Sequence, residues 1–298
     1  MSVASRQSLP CVPGVAAPPG HAVHHPVSAG GLQWRVRCEG DGPDLLLLHG
    51  TASSLESWQA CSRLLRPRFR VWTPDLPGHG HTSAWADGQS SLPRMTASLT
   101  ALLQAMGCEP ALVVGHSAGA ALMLQLALNG AVAPRGLLSV NGAVLPLAGV
   151  AGLVFPPMAR LLARSDWLPR FVARRAANPR ALSRLIASTG SRLDAQGIAH
   201  YQRLLSSGSH VRGALAMMAG WQLEALVAAL PRLRTPLWLA AGSADATVPP
   251  SQAAELARRM PTASLHPLPG LGHLAHEEAP AVVTALIDAL WATVAPPD

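Results

Sequence analysis

Lysine is missing altogether: all 23 basic residues among the 298 are arginine. The formal charge of +7 and the high pI thus come from one residue type, and alone they are poor evidence for nucleic-acid binding. Charged residues are also scarce, at 13%, against 49% hydrophobic ones, a balance that excludes global disorder and provides for a substantial core. Cysteine is limited to Cys11, Cys38, Cys61 and Cys108, with no CxxC spacing, which argues against a disulfide framework or a clustered thiolate metal site. Reduced thiols in a cytosolic enzyme are the expectation. No continuous apolar run follows a basic start in residues 1–29, so no secretory signal is read there. His21, His24 and His25 lie in that Pro- and Gly-rich stretch and are read as incidental, not as metal ligands. The one long uncharged run, residues 136–159, is interrupted by Pro146, Pro156, Pro157 and several glycines, which argues against a membrane-spanning helix. It is read as an apolar connection into a substrate-covering lid, with peripheral membrane contact as the lesser alternative.

What is present is a rhythm. Short β-like runs (32–38, 45–48, 70–75, 111–115, 136–140, 236–242 and 263–269) alternate with stretches of helical apolar spacing (54–65, 94–106, 117–129, 251–259 and 280–293). This alternation predicts an α/β fold, a mostly parallel central sheet with helices on both faces. The rhythm fails from about 146 to 215, where short amphipathic stretches are broken by Pro and Gly. Between 160 and 212 ten arginines face only Asp166 and Asp194, a net of +8. The expected organisation is a flexible tail over 1–29, a core of 30–145 plus 216–298, and a helical lid inserted at 146–215.

The stretch ALVVGHSAGA (111–120) sets Ser117 between Gly115 and Gly119, after a buried-type strand and before the helical AALMLQLAL. G-x-S-x-G in that context is the nucleophile elbow described for α/β hydrolases. The tight turn admits only small neighbours, and it lifts the hydroxyl to the N-terminus of the next helix, where free N–H groups favour developing negative charge. A serine hydroxyl needs a base, and the base needs an orienting acid. In the chain order expected for this arrangement, LAAGSADATVPP (239–250) presents Asp245 and LPGLGHLAHEEAP (268–280) presents His273. The competitors fit less well. Asp75 precedes the serine and is read as bracing its own turn, Glu109 as a solvated loop charge, and His266 as a strand residue. His276, three residues beyond His273, is assigned to shaping the pocket or capping a helix. Oxyanion donors are expected from the backbone of Ala118 and from Thr51 or Ala52 after the LLLLHG strand. His49, His116 and Asn141 are expected to shape the pocket, and Trp167, Phe171, Met217, Met218 and Trp221 to line it.

Through LHGTASSLESW, PDLPGHGHT, VVGHSAGAA, GSADATVPP and GLGHLAHEEAP the chain resembles the α/β-hydrolase superfamily from about residue 30 to its end. Within it, VVGHSAGAALMLQLALNG, SVNGAVLPLAG and GLGHLAHEEAP resemble the magnesium-chelatase accessory proteins encoded with bacteriochlorophyll biosynthesis genes. The serine at position 117 excludes the branches that place aspartate there. The resemblance implies a cytoplasmic role in making magnesium tetrapyrroles for photosynthesis, and the three candidate residues imply hydrolysis of an ester-like bond without metal or organic cofactor. A small acyl or tetrapyrrole substrate is therefore expected, with no nucleic acid; arginines of the lid could grip propionate groups. The competing expectation is a non-catalytic accessory that binds porphyrin or magnesium-chelatase subunits on a hydrolase scaffold.

Overall fold

A computed structural model describes residues 24–146, 167–176 and 178–296. Its centre is an eight-stranded sheet in the order β1-β2-β4-β3-β5-β6-β7-β8. The strands are β1 (His24–Ala29), β2 (Leu32–Glu39), β3 (Asp44–Leu48), β4 (Arg70–Pro74), β5 (Leu112–His116), β6 (Gly136–Val140), β7 (Leu237–Gly242) and β8 (Ala263–Leu268). The first three in spatial order, β1, β2 and β4, pair antiparallel; from β4 onward every pairing is parallel. Every residue of β3, β5 and β6 is buried, because helices cover both faces at the middle of a parallel sheet. Leu45 to Leu48 are wholly inaccessible, and each such side chain contributes about 1.5–3 kcal/mol of burial.

The helices of the core are α1 (Gln59–Leu65), which a short 3-10 turn at Leu55–Trp58 introduces, α2 (Leu92–Met106) and α3 (Ala118–Leu128). The Ser91 hydroxyl caps the N-terminus of α2 by accepting from Arg94 N–H, and Gly107 closes its C-terminus. Helix α3 is apolar nearly all round because it is buried between the sheet and α2. Four cap helices follow: α4 (Trp167–Ala176), α5 (Pro179–Ala187), α6 (Ala195–Ser206) and α7 (Gly208–Gly220). Side chains of Asn178, Asp194 and Ser207 cap α5, α6 and α7. The chain returns to the core through α8 (Glu224–Ala229), and α9 (Pro250–Arg259), the short α10 (Ala275–Glu278) and α11 (Pro280–Val294) complete it. Two apolar clusters fill the two faces of the sheet, and a third, of Leu182, Ile186, Tyr201 and Leu274, ties the cap to the loop around residue 274.

Two expectations are corrected. Residues 24–29 are not tail: they form β1, paired antiparallel with β2 from His24 opposite Arg37 to Ala29 opposite Leu32. Pro26 obscures the strand in the sequence, but an edge strand tolerates proline because one side of it needs no ladder donors. Cys38 is disulfide-bonded while Cys61 and Cys108 are free, so the expectation of reduced thiols fails at Cys38. The first part of the expected lid, 147–166, lies outside the described residues, as do residues 1–23 of the expected tail. Among the described residues no single helix is long and apolar enough to cross a membrane.

Candidate active site

Ser117 sits between the end of β5 and the first turn of α3 with φ 51 and ψ −118, a conformation costly for a residue with a side chain. Main-chain crowding sets the turn. A Cβ at Gly119 would stand 2.4 Å from Leu48 O, and one at Gly115 would stand 2.5 Å from Gly119 O. Ser117 N–H donates to Val140 O at 3.1 Å, which fixes the elbow to the neighbouring strand.

The structure brings the three candidate residues together. His273 Nε2 lies 3.1 Å from Ser117 Oγ, and His273 Nδ1 lies 2.8 Å from Asp245 Oδ2. With the Nδ1 proton donated to the carboxylate, the Nε2 lone pair is left to accept from the serine hydroxyl. The other carboxylate oxygen of Asp245 accepts from the N–H groups of Thr247 (2.8 Å) and Val248 (2.9 Å), so the acid has little freedom to turn away. All three residues are buried.

Three non-glycine residues take positive φ among the described residues, and all three are at this site: Ala52 (59), Ser117 (51) and Asn141 (48). Strain concentrated in this way marks places where geometry outweighs local stability. The loop carrying Thr51 and Ala52 is pressed against the elbow, since a Cβ on Gly50 would come within 2.9 Å of Ser117 Cβ. Ala118 opens α3, so its N–H belongs to the group with no intrahelical acceptor. Thr51 Oγ1 donates to Met217 Sδ at 3.4 Å, so of the two expected methionines it is Met217 that touches this loop. Met218 and Trp221 are half-buried, and Trp221 packs on the core cluster of the α2 and α3 face.

The expected pocket residues prove to be braces. His49 Nδ1 donates to Gly50 O (2.8 Å) and its Nε2 accepts from Leu76 N–H (2.9 Å), joining two strand-end loops; burial pushes its pKa down to about 4. His116 Nε2 donates to His273 O at 2.9 Å, its ring tilted against the His273 ring at 4.8 Å, and burial likewise holds it well below the usual histidine range. Asn141 donates through Nδ2 to Gly272 O and His273 O (both 2.8 Å) and accepts from Gly242 N–H at 2.7 Å, tethering the histidine loop to β7. His276 is buried against the rings of Trp58 and His116, both 4.3 Å away, and burial lowers its pKa to about 3. Trp167 and Phe171 do not line a buried pocket: they are 61% and 52% exposed, because they occupy the outer face of α4. Asp75 braces its turn as expected, accepting from Leu55 N–H (2.8 Å) and His81 N–H (2.9 Å).

A second set of residues holds the site and carries no sequence motif. Thr189 O, between α5 and α6, accepts from Ala246 N–H (3.2 Å) and His273 N–H (3.3 Å), so one carbonyl touches both the acid loop and the base loop. Ser191 Oγ accepts from Leu274 N–H at 2.8 Å. Glu278 accepts from Gly272 N–H (3.0 Å) and Arg192 N–H (3.1 Å). Gly190, with φ +84, could carry no side chain, since a Cβ there would lie 1.8 Å from Ala244 O. Tyr201 OH on α6 donates to Glu277 Oε1 at 2.7 Å, and burial raises the Glu277 pKa to about 8. Only the paired acids Glu277 and Glu278, four and five residues after His273, carry a local sign of this in the sequence. A cavity of about 670 Å³ opens on the far side of Ser54, between Arg35, His81, His200 and His210; it is not lined by Ser117, Asp245 or His273. Among the described residues no cluster of histidine, cysteine or carboxylate groups could hold a metal ion.

Comparison with known proteins agrees with this fold. Residues 45–286 match the model of the alpha/beta hydrolase family. The chain is 44% identical over 252 residues to the magnesium-chelatase 30 kDa subunit of Rhodobacter capsulatus, covering 84% of this chain and 88% of that protein. It is 30% identical over 251 residues to a pimeloyl-[acyl-carrier protein] methyl ester esterase of Aromatoleum aromaticum, covering 81% and 96%. Among solved structures, an alpha/beta hydrolase fold protein from Burkholderia ambifaria superposes with a TM-score of 0.73 at 24% identity, covering 89% of this chain and 99% of that one. With the match spanning most of its length, the chain belongs to the alpha/beta hydrolase family.

Proposed function

We propose that the protein is a serine hydrolase that cleaves a carboxylic ester or related acyl bond, with Ser117 as nucleophile, His273 as general base and Asp245 as its orienting acid. The observation that carries this reading is the unbroken Ser117–His273–Asp245 hydrogen-bond chain at the N-terminus of α3. In this scheme His273 removes the Ser117 proton as the hydroxyl attacks the acyl carbon. The oxyanion takes the N–H groups of Ala118 and of Ala52 or Thr51, and His273 then protonates the leaving group. Water deprotonated by His273 releases the acid and regenerates Ser117. The scheme needs no metal or organic cofactor. The substrate is proposed to be an ester on a magnesium-tetrapyrrole intermediate of bacteriochlorophyll synthesis, a reading supported by the 44% identity to a chelatase subunit.

Wild-type protein should react with a fluorophosphonate probe and the Ser117→Ala variant should not, with both folded by circular dichroism. Equal labelling of the variant would remove Ser117 from the scheme. The name of that same relative favours one other reading, a non-catalytic partner of chelatase subunits that keeps the scaffold. A phototrophic host whose pigment is unchanged by Ser117→Ala but lost on deletion of the gene would support that alternative. Mass identification of products from a panel of esters and tetrapyrrole intermediates names the substrate.

A further inference from the structure

Arginine is used in two ways in this molecule. Across the core, Arg35, Arg37, Arg66, Arg68, Arg70, Arg94 and Arg259 pair with carboxylates of the chain itself, while Arg63, Arg135, Arg232, Arg234 and Arg258 are exposed with no ion pair among the described residues and stand scattered over separate elements. On α4 and α5, Arg174, Arg175, Arg180 and Arg184 are exposed, and among the described residues none has an ion-pair partner. The same two helices carry Trp167 (61% exposed), Phe171 (52%) and Leu185 (57%), half of the six large hydrophobic side chains exposed among the described residues.

The placement is ordered. Residues 167, 171, 174 and 175 follow the spacing of one helical face, so the aromatics and two of the arginines of α4 project together. The rings of Trp167 and Phe171 meet edge-on, with centroids 6.1 Å apart. On α5 the inward positions are Leu182 and Ile186, buried against Tyr201 and Leu274, while Arg180, Arg184 and Leu185 point away. A helix pair with Trp, Phe and Leu among unpaired arginines has the make-up of a segment lying at a lipid headgroup boundary. There the indole and phenyl rings enter the acyl edge and the guanidinium groups meet phosphates.

We propose that the outer face of α4 and α5 docks on an anionic lipid bilayer surface. A protein partner suits the observations less well: a stable protein interface uses about 20–30 residues a side, and this patch offers three apolar side chains and four charges. Partition into an anionic membrane, by contrast, grows with each basic residue, by roughly fivefold apiece. The proposal does not depend on whether the chain hydrolyses an ester.

The test is co-sedimentation of the full chain with vesicles of phosphatidylcholine alone and of equal parts phosphatidylcholine and phosphatidylglycerol. Wild type should pellet with the anionic vesicles and stay in solution with the neutral ones, and raising the salt should release it. Trp167→Ala with Phe171→Ala should weaken anionic binding by about tenfold or more. Changing Arg174, Arg175, Arg180 and Arg184 to Gln should abolish the preference for phosphatidylglycerol. Unchanged thermal unfolding of both variants shows that they are folded. Failure of wild type to pellet with anionic vesicles, equal binding to both compositions, or binding untouched by either set of substitutions would overturn the proposal; the first of these would leave an acidic protein as the occupant.

Discussion

The elbow and the cap position their residues by opposite means. Around Ser117 the tolerances are set by main-chain atoms: Gly115, Gly119 and Gly50 approach backbone or neighbouring side chains so closely that even a methyl group has no room. Where the cap meets the core, the base and acid loops are held by polar links from residues 189–192 and Tyr201 of the cap and from Glu278 of α10. Ser117 is thus placed by the sheet and the helix that follows it, with no contact from the cap needed to form the turn. His273 and Asp245 are placed jointly by the sheet and by a segment inserted 50 residues or more away along the chain. A motif can specify the first arrangement, whereas the second needs the folded chain.

Three substitutions or conditions would break or sharpen this contrast. The largest effect is expected at the elbow. Gly119→Ala puts a methyl group 2.4 Å from Leu48 O and 2.7 Å from His49 O, in strands and turns that have nowhere to move. It should cost about 4 kcal/mol or more and leave little folded protein, as read by thermal unfolding.

Acid should be nearly as damaging, and it acts on both regions. His49, His200 and His210 are pushed by burial to about 4 and His276 to about 3, with His79 and His116 also well below their usual value. A histidine lowered in the folded state binds its proton more readily once unfolded, near pH 6.5. Its contribution is therefore complete above that pH and is lost as the pH falls from about 6.5 toward 4. Six such groups should together remove several kcal/mol between pH 7 and pH 5, seen as a steep fall in Tm. His210→Asn should flatten that fall by about one proton; a Tm independent of pH across this range would contradict the burial of these rings.

The smallest effect is expected at the cap brace. Glu278→Ala removes the acceptor shared by Gly272 and Arg192, so His273 should lose alignment while the fold persists. Hydrolysis should fall about 10- to 100-fold in kcat with KM little changed, and Glu278→Gln, which restores one acceptor oxygen, should recover part of it. A variant that lost rate and stability in parallel would reduce Glu278 to a structural tie.

How much of this could be read beforehand follows from the same contrast. Ser117, Asp245 and His273 were legible because each stands where an apolar run stops at a small or turn-forming residue, a local signal. The sheet from β2 to β8 was legible for the same reason. β1 was missed because Pro26 hides an edge strand. Of the two neighbouring methionines expected at the pocket, only Met217 touches the Thr51 loop, because one residue of helical phase separates a buried side chain from a half-buried one. His49, His116 and Asn141, expected to shape the pocket, bind main-chain groups of the surrounding loops, a role their residue types alone do not reveal. Thr189 was invisible in principle, since it acts through a carbonyl that every residue possesses.

That carbonyl limits how a substrate can enter. Swinging the whole cap away would strip Ala246 and His273 of their shared acceptor. Under the proposed hydrolysis, a substrate would therefore have to reach Ser117 with residues 189–192 kept in place, the frame of the opening holding the two loops as well.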